Sequence, residues 1–130
     1  MRERGVVIDG PDPKTLIGPI SPAEIREAVR GELKERLRGW SDGSWPAEEM
    51  THRGAQAFEI ETVCRALQTI ETAELMTKAQ AVAWALDTLP GRWRSLIEWS
   101  QALRGDRTRD ETKVAEVMSF LRWAVSEVRG

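Results

Sequence analysis

Ser21-Pro22-Ala23-Glu24 opens the stretch that decides the fold. A Ser followed three residues later by Glu is a capping box, and Pro at the first helical position is pre-set for helical φ. Ile25, Val29, Leu33 and Leu37 then recur every four residues and make one apolar stripe. Glu24, Glu27, Arg30, Lys34 and Arg38 fall on the solvated side, and Gly39 is the expected stop. Downstream the same period continues. A second helix is predicted over about Ala55 to Thr72, with Phe58, Cys64, Leu67 and Ile70 as its stripe and Ile60 and Val63 widening it. Thr77-Lys78-Ala79-Gln80 is another capping box and opens a third helix, with Ala81, Trp84, Ala85, Leu86 and Leu89, that stops at Pro90-Gly91. A fourth runs from about Arg92 to Arg104, with Trp93, Leu96, Ile97 and Leu103 inside. After the polar turn Gly105–Arg109, Val114, Val117, Met118, Leu121, Val125 and Val128 mark the fifth. The expectation is an all-α bundle of about five helices over residues 21–130.

Upstream of Ser21 the pattern changes. Val6-Val7-Ile8 is a short β-branched run stopped by Gly10-Pro11-Asp12-Pro13, and Gly18-Pro19 is a second break. No second strand follows, and one strand cannot satisfy its own ladder. Residues 1–20 are therefore expected to be an extended segment that lies on the helices, pairs with a second copy through residues 5–9, or joins a sheet outside this chain.

Composition narrows the function classes. Nineteen Lys and Arg against 21 Asp and Glu give a net charge of −2, so a basic nucleic-acid footprint is absent. No apolar run approaches the roughly 18 residues of a membrane span, and the charged start Met1–Gly5 leads into no signal-peptide core. Cys64 is the single cysteine and forms no internal disulfide, which suits a cytoplasmic protein. His52 is the single histidine, and its spacing from Cys64 matches no zinc site. No phosphate-binding glycine loop and no nucleophile elbow occur. The position of Cys64 in an apolar stripe reads as core packing, and His52 in a polar loop reads as a surface residue.

The aromatic content is unusual: six Trp, two Phe and no Tyr. Two of the Trp, Trp40 and Trp45, fall in an irregular loop over residues 40–54 with Glu48 and Glu49. Buried indoles forming a lid over the core are one reading; the other is a stacking wall beside carboxylates for a cationic, ring-shaped ligand. Charged helix positions such as Glu59 and Glu61 read as solvated faces. Arg65 follows Cys64, and Lys78 follows the Thr77 cap, where the helix dipole already favours anions. These two cations either pair with carboxylates such as Glu61 and Glu74 or converge on a phosphate.

Three strings taken together carry a family resemblance: Val63-Cys64-Arg65-Ala66-Leu67, Met76-Thr77-Lys78-Ala79, and Ala83-Trp84-Ala85-Leu86-Asp87-Thr88-Leu89-Pro90-Gly91-Arg92-Trp93. The chain resembles the C-terminal helical domain of the streptomycin/spectinomycin adenylyltransferases, which are aminoglycoside nucleotidyltransferases. Gly5–Pro11 resembles that family's last strand and interdomain linker. The resemblance implies an aminoglycoside-type ligand held by the loop set Trp40, Trp45, Glu48, Glu49 and His52. It implies that Arg65 and Lys78 contact nucleotide phosphates. ATP and magnesium belong to a preceding nucleotidyltransferase domain, whose Gly-Ser motif and acidic residues have no match in these 130 residues. The expectation is thus no catalytic residue in this chain and no adenylyl transfer by it alone. Two alternatives stay open: a subunit or fragment completing a nucleotidyltransferase in trans, and a homodimeric interaction module with no small-molecule ligand. The chain departs from the family at Ala55, where an acidic residue is usual, at Ala73, where Gly is usual, and near Leu103 and Arg104, where an aromatic is usual.

Overall fold

The structure, a computed structural model, describes residues 21–103 and 106–128. The extended segment expected over residues 1–20 and any pairing through residues 5–9 lie outside the described residues. Among the described residues five α-helices form an all-α fold: α1 (Pro22–Ser41), α2 (Arg53–Thr72), α3 (Lys78–Thr88), α4 (Arg94–Gln101) and α5 (Val114–Glu127). Among the described residues there is no strand, only an isolated antiparallel bridge between His52 and Arg109. No described helix is long and apolar enough to cross a membrane.

Both capping boxes form as the sequence requires. Glu24 N–H donates to Ser21 Oγ at 3.1 Å while Ser21 N–H donates to Glu24 Oε1 at 2.9 Å. Gln80 N–H donates to Thr77 Oγ1 at 3.1 Å, and Thr77 N–H donates to Gln80 Oε1 at 3.0 Å. Each box satisfies two donors that a helix start would otherwise leave open.

The centre is α2, which packs against α1, α3, α4 and α5. Ile60, Val63, Cys64 and Leu67 on it meet Leu33 of α1, Val82 of α3, Leu96 and Ile97 of α4, and Phe120, Leu121 and Ala124 of α5. Because it is surrounded, α2 also buries polar side chains. Gln56, Glu59, Glu61, Gln68 and Thr69 are all buried, which corrects the reading of Glu59 and Glu61 as solvated. Phe58 moves the other way: it is 49% exposed and does not join the core stripe.

Glu59 is held by Arg36 of α1. Arg36 Nε donates to Glu59 Oε2 at 2.8 Å and Nη2 donates to Oε1 at 2.7 Å. This two-pronged bond keeps the Arg36 guanidinium charged against the opposing pull of burial.

Helix ends differ from expectation in three places. α1 runs past Gly39 to Ser41; Gly43, at φ +84°, supplies the left-handed turn that follows the Asp42 cap. Gly39 has another task. A Cβ there would meet the Trp45 ring at 2.6 Å, so only glycine lets the indole lie against the helix. The fourth helix is shorter than expected: Gly91–Trp93 is a 3-10 turn and α4 ends at Gln101. α2 starts at Arg53, two residues early, without a side-chain cap. Its open donors go to a distant loop instead. Arg53 N–H donates to Thr108 O at 2.9 Å and Gly54 N–H donates to Asp106 O at 2.6 Å. The Gln56 side-chain amide clips Met50 O and Asp110 O together at 2.9 and 2.7 Å.

Three outcomes are expected in urea denaturation. Arg36→Met strands a buried carboxylate and should cost about 3–5 kcal/mol, whereas the double change Arg36→Met with Glu59→Met should recover most of it. Ala73 closes α2 in the left-handed region at φ 59°, so Ala73→Gly should raise stability by about 0.5–1 kcal/mol. Burial, aided by the charge of Glu61, pushes the Cys64 thiol up to about 12 from an ordinary 9.0. The neutral thiol therefore contributes its full stability below pH 9 and loses it as pH rises toward 12. Stability should fall across that window less steeply in Cys64→Ala, and alkylation of native Cys64 at pH 8 should follow the rate of opening.

Candidate functional site

Two clefts adjoin along the flank shared by α1 and α2, and both are lined by Arg36 and Phe58. The first has a volume of about 400 Å3 and is walled by Trp40, Trp45, Pro46, Ala55 and Phe58, with Glu49 and the Arg36–Glu59 pair. Its indoles sit edge to face, with ring centroids 5.1 Å apart and planes at 83°. Trp45 rests on Gly39, and Trp40 Nε1 donates to Glu59 Oε1 at 3.4 Å. The Arg36 guanidinium lies 5.2 Å from the Trp45 ring. The loop that carries Trp45 and Glu49 is anchored by the 3-10 turn Ala47–Thr51, whose Met50 is buried in the core. The loop indoles are half-buried against the helices and also line the cleft.

The second cleft, about 420 Å3, is lined by Val29, Glu32 and Arg36 of α1, by Phe58, Thr62, Arg65, Ala66 and Thr69 of α2, by Leu75 and by Lys78. Positions 58, 62, 65 and 69 share one face of α2 at helical spacing. Arg65 and Lys78 thus reach the same cleft. Neither is paired with Glu61, Glu74 or another carboxylate among the described residues. Lys78 Nζ lies 4.4 Å from the centre of the Phe58 ring, which a cation on an aromatic face favours.

Not every residue singled out in the loop reaches a cleft. Glu49 does; Glu48 is exposed and lines neither. His52 is turned the other way, with Nδ1 3.2 Å from Arg107 O, next to the carbonyls that satisfy the start of α2. Among the cleft residues not read as ligand contacts in the sequence are Arg36, Phe58 and Glu59, of which Phe58 was read as core and Glu59 as a solvated face. Glu59 carried a usable signal, since a carboxylate next to Ile60 in a helix apolar on several sides demands a partner. Arg36 is the matching cation on α1. Cys64 is fully buried and faces neither cleft. No group of three or more His, Cys, Asp or Glu suited to a metal ion occurs among the described residues.

A third cavity, about 220 Å3, lies on another flank between Leu67, Ile70, Trp84, Leu89 and Trp123. None of the residues singled out in the sequence for ligand contact lines it.

The family model described as aminoglycoside adenylyltransferase, C-terminal domain, matches residues 15–127. Spectinomycin 9-adenylyltransferase of Staphylococcus aureus is 26% identical over 97 residues, covering 75% of this chain and 33% of that protein. Aminoglycoside (3'') (9) adenylyltransferase of Klebsiella pneumoniae is 26% identical over 129 residues, covering 98% of this chain and 45% of that protein. The chain thus spans less than half the length of these relatives. No solved structure matches it. With nearly its whole length matched and the capping boxes, the central α2 and the Leu89-Pro90-Gly91 stop all in place, the chain belongs to the family of aminoglycoside adenylyltransferase C-terminal domains.

Proposed function

We propose that this chain is a ligand-holding domain: it binds an aminoglycoside-type molecule in the indole cleft and presents it to nucleotide phosphates held by the cationic cleft. The observation that carries this is the shared wall. Arg36 and Phe58 line both clefts, so a ring stacked near Trp45 lies next to the space that Arg65 and Lys78 reach. Group transfer from a nucleotide to a hydroxyl needs that adjacency, because positioning and charge neutralisation supply most of phosphoryl-transfer catalysis.

Each side chain then has a role. Trp40 and Trp45 offer stacking area, and Glu49 offers a carboxylate without an ion-pair partner among the described residues. Arg65 and Lys78, without a carboxylate partner among the described residues, offer positive charge to phosphate oxygens. The chain fits the phosphates of ATP but gives magnesium no ligand cluster among the described residues, so the metal and the activation of the hydroxyl are assigned to a nucleotidyltransferase domain, in the same polypeptide or in trans. Leu75, 76% exposed on the rim of the cationic cleft, supports a partner domain seated there. His52 and Glu48 have no contact role in this arrangement.

The test is a titration of Trp fluorescence, checked by calorimetry, with spectinomycin and streptomycin. Saturable binding is expected. Glu49→Ala should weaken it about five- to tenfold, the scale of one charge-assisted contact, while Glu48→Ala should leave it unchanged. The purified chain should show no AMP transfer from ATP. Absence of any saturable change, or AMP transfer by the chain alone, would overturn the proposal.

A further inference from the structure

The third cavity lies where three helices end. Ile70 and Glu71 belong to the last turn of α2, Thr88 is the last residue of α3 and Glu127 the last of α5, and all four line it. The carbonyl end of a helix carries partial negative charge, so an acid there is disfavoured and a cation favoured. None of these three helices has a basic residue in its last turn, yet α2 and α5 each place a glutamate there. Glu71 and Glu127 are both exposed, and neither has a hydrogen bond or ion pair among the described residues.

Four arginines approach from neighbouring elements, and each is engaged with another group. Arg26 Nε donates to Ile70 O at 2.7 Å, and Arg30 Nε donates to Val128 O at 2.9 Å while its Nη1 lies 3.5 Å from Glu27. Arg94 donates to Leu86 O and lies 3.3 Å from Glu98, and Arg92 lies over the Trp93 and Trp123 rings. Of the four, Arg30 alone lines the cavity, and the two glutamates outweigh a charge that it already shares with Glu27. The other walls are largely aromatic and apolar, with Trp84 and Trp123 above Leu67, Ile70 and Leu89. Trp123 is fixed by Phe120, stacked at 6.1 Å with planes 10° apart, and by Trp93 at 5.6 Å. At about 220 Å3 the space is smaller than the roughly 300 Å3 at which drug-sized sites begin, so it suits a compact ion.

We infer that this cavity binds a compact alkylated ammonium ion from solution, with its methyl groups against Trp84 and Trp123 and its charge between Glu71 and Glu127. The walls decide against a primary ammonium. Its three N–H donors would give up water for a largely apolar lining in which Ile70 O and Val128 O already accept from arginines. A quaternary ammonium has no N–H to satisfy, and the negative face of an indole attracts it. The two glutamates supply the charge that the helix ends alone provide only in part. The site shares no lining residue with either cleft of the function proposed above and stands independently of that function.

The experiment follows the six indole N–H signals of the 130-residue chain by NMR, each assigned through a single Trp→Phe change. Choline, tetramethylammonium, methylammonium and the carbon isostere of choline, in which carbon replaces the charged nitrogen, are titrated in turn. Choline and tetramethylammonium should shift the Trp84 and Trp123 signals saturably and leave those of Trp40 and Trp45 in place. Methylammonium and the carbon isostere should bind about tenfold or more weaker. Glu71→Gln and Glu127→Gln should each weaken choline binding about threefold, and together about tenfold. Both changes remove an acid from a helix C-terminus, so the double variant should melt no lower than the parent. A lower melting point would mark the two carboxylates as structural and overturn the inference. So would equal binding of methylammonium or the isostere, shifts at Trp40 and Trp45 instead, or choline binding unchanged in the double variant. The same holds for no saturable shift up to about 50 mM choline.

Discussion

The bond between Arg36 and Glu59 is the constraint on which the site depends. Burying a carboxylate inside α2 costs several kcal/mol unless a cation meets it with good geometry. Arg36 meets it with two parallel bonds and keeps a second carboxylate, Glu32, at 3.6 Å. The pair is thus a weak argument for stability as such, because two apolar side chains of similar volume would fill the space at least as well. What it gives is registration. It fixes α1 against α2 at one point, and from that point hang Trp40, through its indole N–H on Glu59, and Trp45, through the guanidinium over its ring. Arg36 is also a wall of both clefts. A slip of α1 along α2 would separate the indoles from the carboxylate and the two clefts from each other.

The same geometry separates two charge environments over a short span. On one side of Phe58 the cleft is aromatic with one carboxylate, Glu49, that has no ion pair among the described residues; on the other it carries Arg65 and Lys78. Under the ligand-holding function proposed above, such an arrangement would orient a polar ligand before any specific hydrogen bond forms, because field lines in a partly desolvated cleft are less screened than on open surface. Orientation matters more here than affinity. A domain that holds one reactant for a transfer supplied by another domain contributes mainly through placement, and a misplacement of about 1 Å costs about a hundredfold in rate.

How much of this could be read from the chain differs by element. The helices with capping boxes, α1 and α3, were legible because the signal is local: Ser21 with Glu24 and Thr77 with Gln80 satisfy their own donors. The start of α2 was not, because its donors are satisfied by Asp106 and Thr108, more than fifty residues away, and no local residue announces that. Gly39 was misread for a related reason. Glycine often ends a helix, but here it serves the approach of Trp45, and the true break falls at Gly43. The shared cleft of Arg65 and Lys78 was implied by the family strings alone, since the residues by themselves left pairing with carboxylates equally open. Arg36 and Glu59 escaped because a buried pair between two helices leaves only two charged letters, each of which looks like ordinary surface. His52 drew attention through its chemistry, yet its ring faces the Arg107 carbonyl and it sits where the loop caps α2.

Phe58 ties these observations together. Helical period places it with Thr62, Arg65 and Thr69, on the cleft face and away from Ile60, Val63 and Leu67. An aromatic ring exposed on a helix is ordinarily a liability for solubility. Here two cations cover it: the Arg36 guanidinium lies 5.8 Å from the ring and the Lys78 ammonium 4.4 Å. The ring in turn gives the cations a place to rest that does not neutralise them, which a carboxylate at the same position would do. Lys78 is thereby confined at the cleft without a carboxylate partner among the described residues, and an apolar residue becomes the device that positions a charged one.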